Sequence, residues 1–208
     1  MRPLTLPRTT ELSFTKIGEH TLATNGFLTM VERSFRADGV AYQRTIVKHP
    51  GAVVVVPVLD DNRVVVVRQF RPSIEDYLLE LPAGKRDVPG EAPIVTAERE
   101  LQEECGLRAS HLVAIGSFFN SPGFTDEHTH AILALGLELV PNAPQSAEEA
   151  EIQVQAIPIG EPSACIPLLP LNDAKSIVGI TLAKHYIKEH PIEVTRYRDA
   201  PEVRERFP

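Results

Sequence analysis

The run Arg99-Glu100-Leu101-Gln102-Glu103-Glu104-Cys105-Gly106-Leu107 fits few structures other than a helix with one acidic face laid on a sheet. The periodicity predicts a helix over about 92–105, on which Glu100, Glu103 and Glu104 stand at i, i+3 and i+4 and share a face. Ile94, Ala97, Leu101 and Cys105 supply the apolar stripe that packs the helix down. Gly106 suits the left-handed position that ends a helix. One element thus carries a core face and a carboxylate face side by side.

Carboxylates this close repel one another. At an effective dielectric of about 20, two unit charges roughly 6 Å apart interact by roughly 3 kcal/mol. Arg99 can pair with Glu103, four residues on, which leaves Glu100 and Glu104 uncompensated. A hard divalent cation with oxygen ligands, Mg²⁺ or Mn²⁺, relieves the repulsion. Such ions neutralise a diphosphate and activate water for attack on phosphorus. For an isolated ExxEE the plain alternative is a solvated surface face. The setting argues against that here: Leu81-Pro82-Ala83-Gly84, a glycine-containing loop, then the helix and its glycine stop.

From Gly84 to Leu107 the chain resembles the Nudix box, the signature of metal-dependent hydrolases of nucleoside diphosphates linked to another moiety. That pattern is G, five residues, E, seven residues, then REUxEExGU with U aliphatic. From Glu91 onward the match is complete, with seven residues before Arg99 and with Leu101 and Leu107 at the aliphatic positions. Six residues rather than five separate Gly84 from Glu91, and the turn before the helix is expected to absorb the extra one. LELPAGK at 79–85, VVVVRQFR at 64–71 and SPGFTDE at 121–127 resemble the ADP-ribose pyrophosphatases, with Pro122 sixteen residues after Gly106. The resemblance spans roughly residues 10–190.

This resemblance implies an α/β (α+β) chain: a Nudix α/β/α sandwich with a mixed sheet at 50–208, and a small antiparallel β-sheet domain for dimerisation at 1–49. It implies metal ligation by the Ala83 carbonyl, Glu100 and Glu104, with Glu103 sharing a second or third Mg²⁺ or Mn²⁺ ion and Arg99 orienting the helix through Glu103 or Glu91. Arg71 would reach the phosphates or terminal ribose, or else be plain surface charge. Glu80 either joins the cluster or stays a strand-end carboxylate. Pro122 and Phe124 belong to the loop expected to shape the ribose end, and Phe70, Phe118 or Phe119 to stack on adenine unless they are core.

The reaction implied is hydrolysis of ADP-ribose to AMP and ribose 5-phosphate by a homodimer. Carboxylates occupied by cations are poor bases, so a base is expected from the acidic loop, with Glu149 the first choice and Glu148 the second. Glu103 stands behind them. Another nucleoside diphosphate sugar, such as GDP-mannose, is the nearest alternative substrate. A module that binds ADP-ribose without turnover would be expected to carry a damaged box. A mutagenic-nucleotide sanitiser would be expected to lack the N-terminal sheet.

Composition agrees. A chain of 208 residues, 43% hydrophobic, can bury one sizeable core and carry an appendage. Its formal charge of −7 argues against broad nucleic-acid binding. Two cysteines, Cys105 and Cys165, make no disulfide framework and fit a reducing cytoplasm. No apolar run approaches the ~20 residues of a membrane helix, and no signal-peptide core opens the chain.

Residues 1–10 read as a loose arm, and 11–17, 26–35 and 40–47 as strands, the last entered by the turn Arg36-Ala37-Asp38-Gly39. The valine-rich runs 52–59 and 63–69 read as a hairpin about Asp60-Asp61-Asn62. Further strands are expected at 77–81, 111–119, 127–139 and 151–158, and a final helix capped by Asp173 to about Lys188. His128 and His130 read as structural or solvent-facing, and Cys105 as an inert member of the apolar stripe.

Overall fold

A computed structural model describes residues 14–142, 151–159, 171–191 and 195–207. Two compact units emerge: one holds the chain to His49 together with Ser121–Asp126, the other Pro50–Asn120 and Glu127–Pro208.

The first unit is a three-stranded antiparallel sheet, β1 (Thr15–Asn25), β2 (Leu28–Ala37) and β3 (Val40–Lys48), in that order. Asp38 and Gly39 both have positive φ, 49° and 80°, as the tight turn between β2 and β3 requires. Little is buried here beyond Val31, while Ile17, Leu22, Phe27, Leu28, Met30 and Val40 are exposed. The segment Ser121–Asp126 is tied to the end of β3: the Val47 N–H donates to the Phe124 carbonyl at 2.8 Å and the His49 N–H to Asp126 at 2.8 Å.

The second unit carries two sheets. β4 (Ala52–Pro57), β7 (Ala83–Lys85), β8 (Leu107–Phe119) and β9 (His128–Leu139) form one in the order β7-β4-β9-β8, mixed because β4 and β9 run parallel. β5 (Arg63–Arg71), β6 (Asp76–Glu80) and β10 (Gln153–Pro158) form the other in the order β10-β5-β6. The helices are α1 (Pro93–Cys105), α2 (Ala174–Glu189) and α3 (Pro201–Arg206). Among the described residues no helix is long and apolar enough to cross a membrane.

The expected hairpin of 52–59 with 63–69 does not form. A bridge from Val58 to Val64 holds the corner, but β4 and β5 then part into different sheets. The same composition explains both the reading and the outcome. Strands apolar on both faces belong in the middle of sheets, and here β4 lies between β7 and β9 and β5 between β10 and β6. Val53, Val55, Val65 and Val67 share a core with Ala97, Leu101 and Cys105 of α1 and Val203 of α3. Val54, Val56, Val64 and Val66 share the other with Leu81 and with Ile180 and Ala183 of α2. The two-residue period of a strand thus sorts the valines between two helical layers. The acidic helix is held by one layer, and α2 by the other.

Three smaller differences have local causes. β8 begins at Leu107 rather than His111, because the chain turns straight from the Gly106 cap into the sheet. The short strand β7 and the helix α3 were not expected; each is too brief to show a period. Ile94 is exposed, since it lies in the first turn of α1, beyond the stripe of Ala97, Leu101 and Cys105.

Candidate active site on the acidic helix

α1 starts with Pro93 at its first position, where a missing N–H costs nothing, and ends at Gly106 with φ 61° and ψ 38°. The loop before it closes with the Glu91 N–H donating to the Val88 carbonyl at 3.2 Å. The Thr96 hydroxyl donates to Glu91 Oε2 at 2.7 Å, fixing that carboxylate over the first turn.

Glu100, Glu103 and Glu104 are 8%, 6% and 6% exposed, so the acidic face is buried rather than solvated. Arg99 does more than the pairing with Glu103 that its spacing suggested. Its Nη1 lies 2.8 Å from Glu100 and 2.9 Å from Glu103, and its Nη2 lies 3.6 Å from Glu91. Partial burial opposes the guanidinium's charge, but Glu100, Glu103 and Glu91 together hold its pKa above the ordinary value. Glu104 Oε2 accepts the N–H of Ala83 at 3.0 Å, so the β7 backbone meets the helix face. Gly84 comes closer still: a Cβ there would fall 1.9 Å from Glu100 Cδ.

Three carboxylates around one guanidinium leave excess negative charge in a dry place, and hard oxygen donors with this excess suit Mg²⁺ or Mn²⁺. Among the described residues no three Asp, Glu, His or Cys groups already converge as ion ligands. Arg99 lies between Glu100 and Glu103 and serves as their counter-charge.

Arg71 and Glu80 form a two-pronged ion pair, Nε to Oε1 at 2.6 Å and Nη2 to Oε2 at 2.7 Å, with Glu80 1% exposed. The Glu80 hydrogen bond, outweighing burial, raises the Arg71 pKa, and Glu104 and Asp173 add to it. Of the carboxylates on α1, Glu104 is the one whose charge bears on Arg71.

Pro122 and Phe124 lie in the Ser121–Asp126 segment of the first unit, with Phe124 exposed. Glu148 and Glu149 lie outside the described residues. Phe118 packs on the α2 side of the core, whereas Phe70 and Phe119 are exposed, against Tyr77 and His128 respectively. The expectation that strand aromatics are core therefore holds for Phe118 and fails for the other two. His128 and His130 lie ring to ring at 4.8 Å, and burial, then His128 and Arg86, hold the His130 pKa below its usual value. Cys105 is fully buried and its thiol is pushed well above its ordinary pKa, as an inert core residue should be.

Residues 48–175 match the model of the NUDIX domain. The chain belongs to the NUDIX family. Among curated relatives of this NUDIX protein, the ADP-ribose pyrophosphatase of Bacillus subtilis is 38% identical over 143 residues, 69% of this chain and 77% of that one. The ADP-ribose pyrophosphatase of Mycobacterium tuberculosis is 35% identical over 178 residues, 85% and 86% of the two chains. A crystal structure of an ADP compounds hydrolase superposes with a TM-score of 0.75 at 21% identity, covering 87% of this chain and 98% of that one, which supports the NUDIX fold.

Proposed function

We propose that this NUDIX hydrolase cleaves the diphosphate of ADP-ribose with water, giving AMP and ribose 5-phosphate. The observation that carries the reading is the buried carboxylate face of α1 set against the Ala83 backbone. The two ADP-ribose pyrophosphatases that align over most of the chain support the choice of substrate.

Glu100, Glu104 and the carbonyl of Ala83 would hold Mg²⁺ or Mn²⁺, and Glu103 would share a further ion, for two or three in all. When bound, these cations offset the charge of the diphosphate and of the departing phosphate and acidify the attacking water. Arg99 fixes the rotamers of Glu91, Glu100 and Glu103. Arg71, held in place by Glu80, offers a guanidinium to the phosphates or the terminal ribose. Water adds to one phosphorus as the bridging P–O bond breaks. Its proton goes to Glu149, or failing that Glu148, and the bridging oxygen leaves with the other phosphate.

Steady-state kcat/KM values for ADP-ribose, GDP-mannose, a dinucleoside polyphosphate and a nucleoside triphosphate test the reading. ADP-ribose is expected to lead, and a clear preference for a triphosphate would overturn the assignment.

The exposed apolar side chains of the first unit support a homodimer in which the sheet meets a second copy, and the two-cysteine composition supports a reducing cytoplasm as its place. Light scattering is expected to return about twice 22.9 kDa, and a fully active monomer would rule this out.

A further inference from the structure

The corner Leu81-Pro82 carries the chain from the β10-β5-β6 sheet to β7, and so sets where Ala83 stands. Four successive residues are each fixed to a different element. Glu80 is held by Arg71 of β5. The Leu81 N–H donates to Ser176 Oγ of α2 at 2.7 Å. The Pro82 carbonyl accepts from the Val55 N–H of β4 at 2.8 Å. The Ala83 N–H donates to Glu104 of α1 at 3.0 Å. Three of these ties come from the sheets or the acidic helix itself. The fourth comes from α2, which supplies no cation ligand.

Ser176 is fully buried, so the Leu81 N–H that it accepts has no recourse to water. Its hydroxyl donates to Asp173 Oδ2 at 2.8 Å, and the same carboxylate oxygen caps α2 by accepting the Ser176 N–H at 2.8 Å. Burial pushes the Asp173 pKa up, but Lys175 and Ser176 outweigh it and hold the group below its ordinary value. A charged acceptor therefore fixes the hydroxyl with its lone pairs toward Leu81. α2 approaches closely because its buried face is Ser176, Gly179, Ile180 and Ala183; a Cβ on Gly179 would fall 2.9 Å from Leu81 Cδ1.

We infer that Ser176, oriented by Asp173, is a positioning residue for the diphosphate hydrolysis: it locks the Leu81-Pro82 corner so that Ala83 and Glu104 stand together where the cation binds. Nothing in this role touches substrate. It rests on the proposed function for its reaction, but its effect on cation binding does not depend on which diphosphate is cleaved.

The test is a Mn²⁺ titration of the full-length protein, followed by electron paramagnetic resonance, alongside ADP-ribose kinetics and thermal unfolding. Ser176→Ala is expected to weaken Mn²⁺ binding about tenfold and lower kcat about tenfold at fixed Mg²⁺. KM for ADP-ribose should stay within twofold, and Ser176→Thr should recover most of both losses. Ser176→Cys, which nearly keeps the shape of the side chain but offers only a weak acceptor to the Leu81 N–H, should weaken Mn²⁺ in the same direction and decides the matter if Ser176→Ala does not fold. Mn²⁺ affinity within twofold of wild type in a folded Ser176→Ala, or in Ser176→Cys if that variant alone folds, overturns the inference. A wild-type protein that binds Mn²⁺ but leaves ADP-ribose intact overturns the substrate reading instead, and the titration still decides this one.

Discussion

Replacing Glu100 or Glu104 by Gln is expected to lower ADP-ribose turnover by roughly 10³-fold, about 4 kcal/mol of transition-state stabilisation, with the fold intact. Both side chains are nearly buried and of the same size as Gln, so packing is retained while a hard anionic ligand is lost. Glu104 serves two groups, since it also accepts the Ala83 N–H. Its Gln variant keeps an oxygen for that bond, which isolates the loss of charge from the loss of position. The measurement is kcat at saturating Mg²⁺ with circular dichroism as the fold control. Near-wild-type turnover in both variants would remove the acidic face from the mechanism.

The second large effect is expected from a single methyl group. Gly84→Ala would place Cβ 1.9 Å from Glu100 Cδ and 2.0 and 2.3 Å from its two oxygens. These are overlaps, and Glu100 must swing away, because Gly84 is paired with Val53 in the sheet and cannot retreat freely. Relieving such a clash typically costs about 1–3 kcal/mol of stability. The functional cost is of similar size, since the displaced group is a proposed cation ligand: a drop in kcat of roughly 10²-fold, about 2.7 kcal/mol, is expected from its misplacement. Gly90→Ala serves as a control, because open space surrounds that position, though its φ of 81° makes some strain of its own unavoidable. Equal activity of Gly84→Ala and wild type would mean that Glu100 does not need the place it occupies.

Much of this site is legible in the sequence, and the reason is local. The acidic face, its Gly106 stop and the α1 stripe are fixed by 3.6-residue periodicity within one helix, so Glu100, Glu103 and Glu104 could be grouped from spacing alone. The cap of α2 by Asp173 was legible for the same reason: the Ser176 N–H it binds is three residues away. What escaped depends on long-range pairing. The separation of β4 from β5 turns on which strands flank each, and a run of valines carries no record of its neighbours. The contact of Ser176 with Leu81 spans 95 positions, and neither residue type advertises it. Arg99 reaching Glu100 as well as Glu103 depends on a rotamer, as does the grip of Arg71 on Glu80. The joining of Ser121–Asp126 to the first unit follows from hydrogen bonds to Val47 and His49 far upstream.

The most direct test of the account is a product assay on purified protein and ADP-ribose, with Mg²⁺ and then with the ion chelated. AMP and ribose 5-phosphate are expected in equal amounts with Mg²⁺ present, with no turnover above background once it is removed. Undiminished hydrolysis in chelator, or ADP-ribose recovered intact beside active Mg²⁺-dependent cleavage of a nucleoside triphosphate, would contradict the account.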